Sequence, residues 1–193
     1  MSRGSAKNFF EGDPLLQDIE EVLISAPRLR RRVAELGKQI TADYEGRDLC
    51  LVTVLRGGAF FLVDLARSIH LPVSIEFMAI TSYGPQSQTG AVRITKDLDE
   101  GVSGRHLLIV EDIVDTGLTL SYIYRNLQRR GPASVAICVL LDRPYRRIAD
   151  LPIAYKGFEI PDVFVVGYGL DWRQKHRNLP FIGVLKPSVY EAG

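Results

Sequence analysis

The chain has 193 residues with 24 basic and 23 acidic side chains, so its formal net charge is +1. This near-neutral charge argues against a dedicated nucleic-acid-binding protein, which usually carries a basic excess. The sequence contains no apolar run of about 18 residues, the length that crosses a bilayer, and no signal-peptide pattern near its start. We therefore expect a cytoplasmic protein without nucleic-acid or membrane partners.

Two cysteines, Cys50 and Cys138, each lie in an apolar, strand-like run. Buried free thiols in a reducing compartment are the favoured interpretation, and a disulfide is the less favoured alternative. Because there are only two, a zinc site built from cysteine pairs is excluded.

Apolar periodicity predicts strands and helices in alternation. An early strand at 19–24 precedes a helix whose apolar stripe consists of Leu29, Val33, Leu36 and Ile40. Near-continuous apolar runs then predict strands buried on both faces, as in a parallel sheet, at 49–55, 106–110 and 135–141. Further strands are expected at 73–80 and 91–95 and near residues 158, 164–168 and 181–185, and further helices at 60–69 and around 120–127. This order predicts an α/β fold with a mainly parallel sheet.

The chain shows no internal repeat or flexible linker, so we expect one domain over residues 1–193. Residues 1–18 are expected to form a loosely ordered N-terminal extension. Four arginines lie near the start of the first helix: Arg28, Arg30, Arg31 and Arg32. The favoured interpretation is that they form a solvated helix face, and the alternative is an anion or partner site.

The strongest chemical signal follows the strand at 106–110. Glu111, Asp112 and Asp115 place three carboxylates within five residues, and their mutual repulsion calls for a cation or hydroxyl donors nearby. The small, hydroxyl-bearing turn at 116–119 opens a helix, whose N-terminus favours a phosphate. Together these groups suit a ribose 5-phosphate. The less favoured alternative is that the acids merely cap the helix.

The segment VEDIVDTGLTL at 110–120 resembles the phosphoribosyl diphosphate (PRPP) motif of type I phosphoribosyltransferases. The rest of the chain, over about 19–187, resembles the bacterial hypoxanthine-guanine branch of that family. The matching segments are VLRGG (54–58), TSYG (81–84), KDLD (96–99), LLDRP (140–144), GFEIPDVFVVGYGLD (157–171) and RNLPFIGVLKP (177–187). The resemblance implies a type I phosphoribosyltransferase fold with a small hood lobe built from the N- and C-terminal segments.

The resemblance also implies a reaction, in which a purine base and PRPP give a nucleoside 5′-monophosphate and diphosphate with Mg²⁺. Glu111 and Asp112 match the acids that hold the ribose hydroxyls, directly or through the metal. Asp115 matches the presumed general acid/base near purine N7. The residues implied to bind the 5′-phosphate are Thr116, Gly117, Leu118 and Thr119. The residues implied to bind the diphosphate are Leu55, Arg56, Gly57 and Arg177. A non-proline cis peptide is implied between Leu55 and Arg56.

Four further residues match the family's purine-binding positions: Arg143, Phe164, Val165 and Asp171. Phe164 matches the ring that stacks on the base, although without the resemblance its apolar surroundings would favour a core residue. Val165 matches a residue with backbone contacts to the base edge, and Asp171 matches a metal ligand beside the diphosphate. A mobile loop that closes over the site is implied to begin at Ser82 and Tyr83.

Three positions depart from the family pattern. Arg143 stands where lysine usually faces the purine 6-oxo group, and a planar guanidinium is not equivalent to an ammonium group. Trp172 stands where tyrosine is usual, and the loop containing Pro85 is about one residue shorter than in common bacterial members. The preference among hypoxanthine, guanine and xanthine therefore stays open.

The leading hypothesis is a purine salvage enzyme for hypoxanthine and/or guanine, working as a homodimer or homotetramer. Two alternatives remain: a non-enzymatic PRPP or nucleotide sensor on the same fold, and a xanthine-preferring transferase. A sensor of that kind usually carries a DNA-binding module or a basic face that binds RNA. The net charge of +1 does not favour a basic face, and the roughly 18 residues before the matched region are too few for a DNA-binding module.

Overall fold

A computed structural model describes residues 14–82 and 92–191. The strands are β1 (Ile19–Ile24), β2 (Leu49–Val54), β3 (Val73–Ser82), β4 (Val92–Lys96), β5 (His106–Val114), β6 (Ser134–Asp142), β7 (Ile153–Glu159), β8 (Val165–Val166) and β9 (Ile182–Leu185). The helices are α1 (Ala26–Asp43), α2 (Gly58–Ser68), α3 (Leu118–Gln128) and α4 (Pro187–Tyr190).

The main sheet has six strands in the order β4-β3-β2-β5-β6-β7. Only β4 runs antiparallel to its neighbour, which confirms the predicted α/β fold with a mainly parallel sheet. The chain builds outward from β2 in one direction and from β5 in the other. In such sheets a crevice forms at the carboxyl ends of the two strands where the direction changes. The segments that follow β2 and β5 therefore face each other across one cleft.

Helices cover both faces of this sheet. Successive side chains of a strand point to opposite faces, so Leu49 and Leu51 pack under α1 and α2, while Cys50 and Val52 pack under α3. The predicted stripe of α1 is buried in the first of these clusters, as expected from its spacing. Both cysteines are buried free thiols, as predicted.

A second, three-stranded sheet has the order β1-β9-β8 and is antiparallel. It unites segments from the two ends of the chain and forms the predicted hood. Its Ile24, Val165 and Ile182 pack into the same cluster as α1 and α2, which fixes the hood against the main sheet. Its opposite face carries a separate cluster that includes Phe181 and Leu185.

Several expectations need adjustment. β5 continues to Val114, so Glu111 and Asp112 lie within the strand rather than after it. Residues 1–13 of the expected N-terminal extension, and the loop residues Tyr83 and Pro85, lie outside the described residues. Ser82 is the last residue of β3. Among the described residues, no helix has the length and apolar character needed to cross a membrane.

The arginine cluster of α1 has a partly structural role. Arg32 donates from Nε to the carbonyl of Gly157 at 3.0 Å and from Nη2 to the carbonyl of Lys156 at 2.6 Å. Arg28 lies over the Phe158 ring at 5.7 Å. Two of the four arginines therefore tie α1 to β7, and the predicted solvated face applies to Arg30 and Arg31, which are exposed.

Candidate active site

A cleft of about 320 Å³ opens at the carboxyl ends of β2 and β5. Residues 54–58 form one wall, and residues 111–117 with Thr119 form the other. Of the residues predicted to bind ribose or phosphate, the cleft brings together Leu55, Arg56, Gly57, Glu111, Asp112, Asp115, Thr116, Gly117 and Thr119. Leu118 is an exception, because it is exposed and lines a different groove beside α3.

The turn after β2 packs directly against the acids of β5. The Leu55–Arg56 peptide is cis, as the resemblance implied. A side chain at Gly57 would collide with the carboxylate of Asp112 and force it to move. The Val54 amide donates to Oε1 of Glu111 at 3.0 Å. These contacts hold the two walls of the cleft at a fixed separation.

Burial sets the electrostatics of the two adjacent acids. It raises the pKa of Asp112 to about 6, although hydrogen bonds from the backbone and the charge of Arg177 act in the opposite direction. Burial also raises the pKa of Glu111 well above its usual range, and the neighbouring Asp112 charge adds to this effect. A cation entering the cleft would stabilise the ionised form of both groups.

The turn between β5 and α3 has the shape of an anion cradle. Gly117 caps α3 with a φ of +79°, a left-handed conformation that side chains rarely adopt. The amides of Ile148 and Ala149 donate to the carbonyl of Thr116 at 2.9 and 3.0 Å. These two hydrogen bonds hold the turn in place, and the amides of the first turn of α3 suit a phosphate.

Two predicted residues meet beside the cleft in the segment after β8. Arg177 pairs with Asp171 at 2.7 Å and donates to the carbonyl of Gly169 at 2.6 Å. Gln174 accepts hydrogen bonds from Arg56 at 2.9 Å and from Arg177 at 3.2 Å. Sequence reasoning missed Gln174, which joins the two arginines predicted to bind the diphosphate.

A second cavity, of about 260 Å³, lies against the hood. It is bordered by two predicted purine-binding residues, Arg143 and Phe164. Arg143 is almost buried and donates from Nη2 to the carbonyl of Val163. Burial lowers the pKa of its guanidinium. Val165 is buried in β8, where it pairs with Val184 of β9.

Asp115, which lines the first cavity, contacts a residue that lines the second. Arg146 lines the second cavity and contacts Asp115 at 3.5 Å through Nη1 and Asp162 at 2.7 Å through Nε. Sequence reasoning missed Arg146 and Asp162, although both lie within quoted or adjoining segments. It also missed Tyr190, which borders the second cavity from α4.

Several predicted site residues carry polar atoms that are buried without a hydrogen-bond partner in the part of the chain that the structure describes. They are Oδ1 of Asp115, Nε of Arg143 and Nε of Arg177. Buried polar groups are nearly always paired, so unpaired ones call for a partner such as a ligand. These three residues come from three separate segments around the two cavities.

The acids fit a divalent cation that arrives with its substrate. Within residues 14–82 and 92–191, no group of three His, Cys, Asp or Glu side chains converges as a metal cage. Mg²⁺ commonly binds through one or two carboxylates, several waters and substrate phosphates. Glu111, Asp112 and Asp171 offer carboxylate oxygens of this kind, and the charge of Asp171 acts on Asp112.

The mainly parallel sheet, the hood and the cleft at the carboxyl ends of β2 and β5 are those of a type I phosphoribosyltransferase. The family model of the phosphoribosyl transferase domain matches residues 21–173. The hypoxanthine-guanine phosphoribosyltransferase of Mycobacterium avium is 51% identical over 181 residues, covering 90% of this chain and 89% of the relative. That of Bacillus subtilis is 47% identical over 176 residues, covering 91% and 98%.

A solved structure of a hypoxanthine phosphoribosyltransferase from Staphylococcus aureus superposes with a TM-score of 0.86. It is 48% identical to this chain and covers 90% of it and 95% of its own length. The chain belongs to the hypoxanthine-guanine phosphoribosyltransferase family.

Proposed function

We propose that this chain is a purine salvage enzyme that transfers the 5-phosphoribosyl group of PRPP to hypoxanthine and/or guanine. The products are IMP or GMP and diphosphate. The observation that carries this proposal is the contact between Asp115 and Arg146. Asp115 lines the cleft that contains the carboxylates and the phosphate-type turn, and Arg146 lines the pocket bordered by Arg143 and Phe164. The family membership supports the same reaction.

In this proposal PRPP occupies the cleft. Its 5′-phosphate binds the turn of Thr116, Gly117, Leu118 and Thr119, and its ribose hydroxyls face Glu111 and Asp112. For Leu118 only the backbone is suited to this role, because its side chain is exposed. The diphosphate lies between the turn of Leu55, Arg56 and Gly57 and the side chain of Arg177. The convergence of both arginines on Gln174 supports this location.

The base occupies the second pocket. Phe164 stacks on its ring, the backbone of Val165 contacts its edge, and Arg143 faces the 6-oxo group. The unpaired Nε of Arg143 is a donor suited to this oxygen. An Arg fork offers two donors in a plane, whereas an ammonium group offers a point charge. Arg143 is therefore the residue on which selectivity among 6-oxopurines depends.

The reaction follows from this placement. Purine N9 forms a bond to ribose C1 while the bond from C1 to the diphosphate oxygen breaks. The proton of purine N7 moves to the carboxylate of Asp115, whose Oδ1 has no other partner among the described residues. Arg56 and Arg177 stabilise the charge that develops on the diphosphate.

Magnesium is part of this proposal. Held by PRPP together with Asp171 and the Glu111–Asp112 pair, Mg²⁺ would supply further charge stabilisation to the leaving group. Closure of a loop that begins at Ser82 and Tyr83 would exclude water from the activated ribose. We further propose that the protein is one phosphoribosyltransferase domain, acts in the cytoplasm and assembles as a homodimer or homotetramer.

Steady-state turnover with PRPP and Mg²⁺ tests the proposal, using hypoxanthine, guanine, xanthine and adenine in parallel. We expect turnover of hypoxanthine or guanine that EDTA abolishes. Preferential turnover of xanthine would favour the alternative transferase instead. Binding of PRPP without turnover of any base would contradict the proposal and favour a sensor.

A further inference from the structure

Three aromatic rings meet at the edge of the hood. The Tyr190 ring lies nearly parallel to Phe164, with centroids 5.1 Å apart and planes inclined by 21°. Trp172 meets Phe164 at 5.3 Å and 85°. Aromatic pairs of this geometry are favourable beyond the area that they bury. The plane of the Phe164 ring is therefore set by two neighbours from separate segments of the chain.

The C-terminal segment holds Tyr190 in this position. The Lys186 amide donates to the carbonyl of Asp18 at 2.9 Å, and its Nζ donates to the carbonyl of Gln17 at 2.6 Å. Val189 and Tyr190 then pack against the hood cluster that includes Phe181 and Leu185. These contacts fix the backbone from which the Tyr190 ring reaches Phe164.

Phe164 and Tyr190 both border the pocket that contains Arg143. Because Tyr190 covers one face of Phe164, an incoming base cannot stack on that face. We propose that Tyr190 is a positioning residue for the purine. It fixes the plane of Phe164 and keeps the base off the face that Tyr190 covers. This inference rests on the proposed function, since it takes Phe164 as the stacking ring.

Steady-state kinetics of Tyr190→Ala and Tyr190→Phe test the inference. The alanine variant should raise the KM for hypoxanthine about threefold to tenfold, the range that the loss of one aromatic pair predicts. Its kcat and its KM for PRPP should stay within about twofold of the wild-type values, because Tyr190 borders the base pocket and is not among the residues that line the PRPP cleft. Tyr190→Phe keeps the ring and should behave like the wild-type protein.

Val189→Ala is the matched control, because it removes packing from the same helix and leaves the ring stack in place. It should leave the KM for hypoxanthine unchanged. If the alanine variant at position 190 does not fold, Tyr190→Leu fills the space without an aromatic plane and provides the same test.

The only tryptophan of the chain, Trp172, touches Phe164 and reports on this subsite independently of turnover. Titration of IMP followed by tryptophan emission should give a Kd that rises in Tyr190→Ala by a factor similar to that of the KM. An unchanged or lowered KM for hypoxanthine in this variant would overturn the inference. An equal rise after Val189→Ala would also overturn it. Absence of turnover in the wild-type protein would instead contradict the proposed function.

Discussion

Asp115 has the most distinctive surroundings of any titratable group in the cleft. One carboxylate oxygen faces Arg146, and the other is buried without a partner among the described residues. A carboxylate with one oxygen engaged and one unpaired is suited to accept a proton from a ligand at a fixed position. The neighbouring acids Glu111 and Asp112 differ, because both accept backbone hydrogen bonds.

Asp115→Asn should lower kcat for IMP formation by about 10²-fold or more, the usual contribution of a general acid/base. The amide keeps the shape of the side chain but cannot take up the proton. Asp150→Asn makes the same change at an exposed carboxylate and should leave kcat unchanged. A kcat within a few-fold of the wild-type value for Asp115→Asn would refute the assigned role.

At the scale of elements, the loop between β6 and β7 supports the turn between β5 and α3. Arg147 forms a buried ion pair with Asp142 and donates from Nε to the carbonyl of Asp115 at 3.4 Å. Its side-chain stem also packs beside Gly117. Because Arg143 lies in the same loop, one short segment contacts both the phosphate turn and the base pocket.

Arg147→Met should therefore raise the KM for PRPP about tenfold, which corresponds to the loss of roughly 1.4 kcal/mol. The stem is retained, and Asp142 keeps Lys156 as an ion-pair partner at 2.6 Å. The exposed Arg31 of α1 provides the control, since Arg31→Met should leave both KM values unchanged. An unaltered KM for PRPP in Arg147→Met would show that the turn keeps its shape without this support.

The KDLD segment at 96–99 fastens two elements together. Asp97 pairs with Arg130, which follows α3, at 2.8 Å, and the Asp99 amide donates to Glu76 of β3 at 3.0 Å. The hydrogen bond from Arg130 is the main reason that the pKa of Asp97 lies below its ordinary value. A lowered carboxyl pKa in the folded state means that its stabilisation is present at neutral pH and is lost on acidification.

Asp97→Asn should lower the free energy of unfolding at pH 7 by about 0.5–1 kcal/mol, a modest value because the pair is half-exposed. The difference from the wild-type protein should shrink as the pH falls below about 4, because the unfolded carboxyl takes up its proton first and the folded carboxyl follows at lower pH. Urea unfolding of both proteins at pH 7, 5 and 3 measures this difference in the free energy of unfolding. A difference that stays constant across this range, or that is insensitive to added salt, would exclude the ion pair as its cause.

The sequence predicted what local periodicity determines. The stripe of α1 and the buried runs of β2, β5 and β6 have spacings that specify their elements directly, and all were confirmed. The resemblance anticipated the cis Leu55–Arg56 peptide and most of the residues that line the cleft. The positions of Glu111 and Asp112 within β5 were not foreseen, because an apolar run that becomes acidic does not indicate where the strand ends.

The sequence did not predict side-chain contacts between residues that lie far apart in the chain. Arg56 and Gln174 are 118 residues apart, and Arg32 and Gly157 are 125 residues apart. No local sequence pattern predicts either contact, because the two residues of each pair are brought together only by the folded chain. The stack of Tyr190 on Phe164 is a further case.

For the whole molecule, the arrangement of two sheets explains why the site needs both ends of the chain. The main sheet provides the cleft, whereas the hood, built from β1, β8 and β9, provides Phe164 and the border at Tyr190. Shared packing of Ile24, Val165 and Ile182 with α1 and α2 keeps the two parts in fixed relation. A base and a phosphoribosyl group could thus be held side by side across Asp115.

The central claim is that the two cavities act as one transferase site. The most direct test is to measure diphosphate and IMP together in time courses with PRPP and Mg²⁺, with and without hypoxanthine. We predict one diphosphate for each IMP and almost no diphosphate when the base is omitted. Release of diphosphate at the same rate without the base, or none with it, would contradict the account.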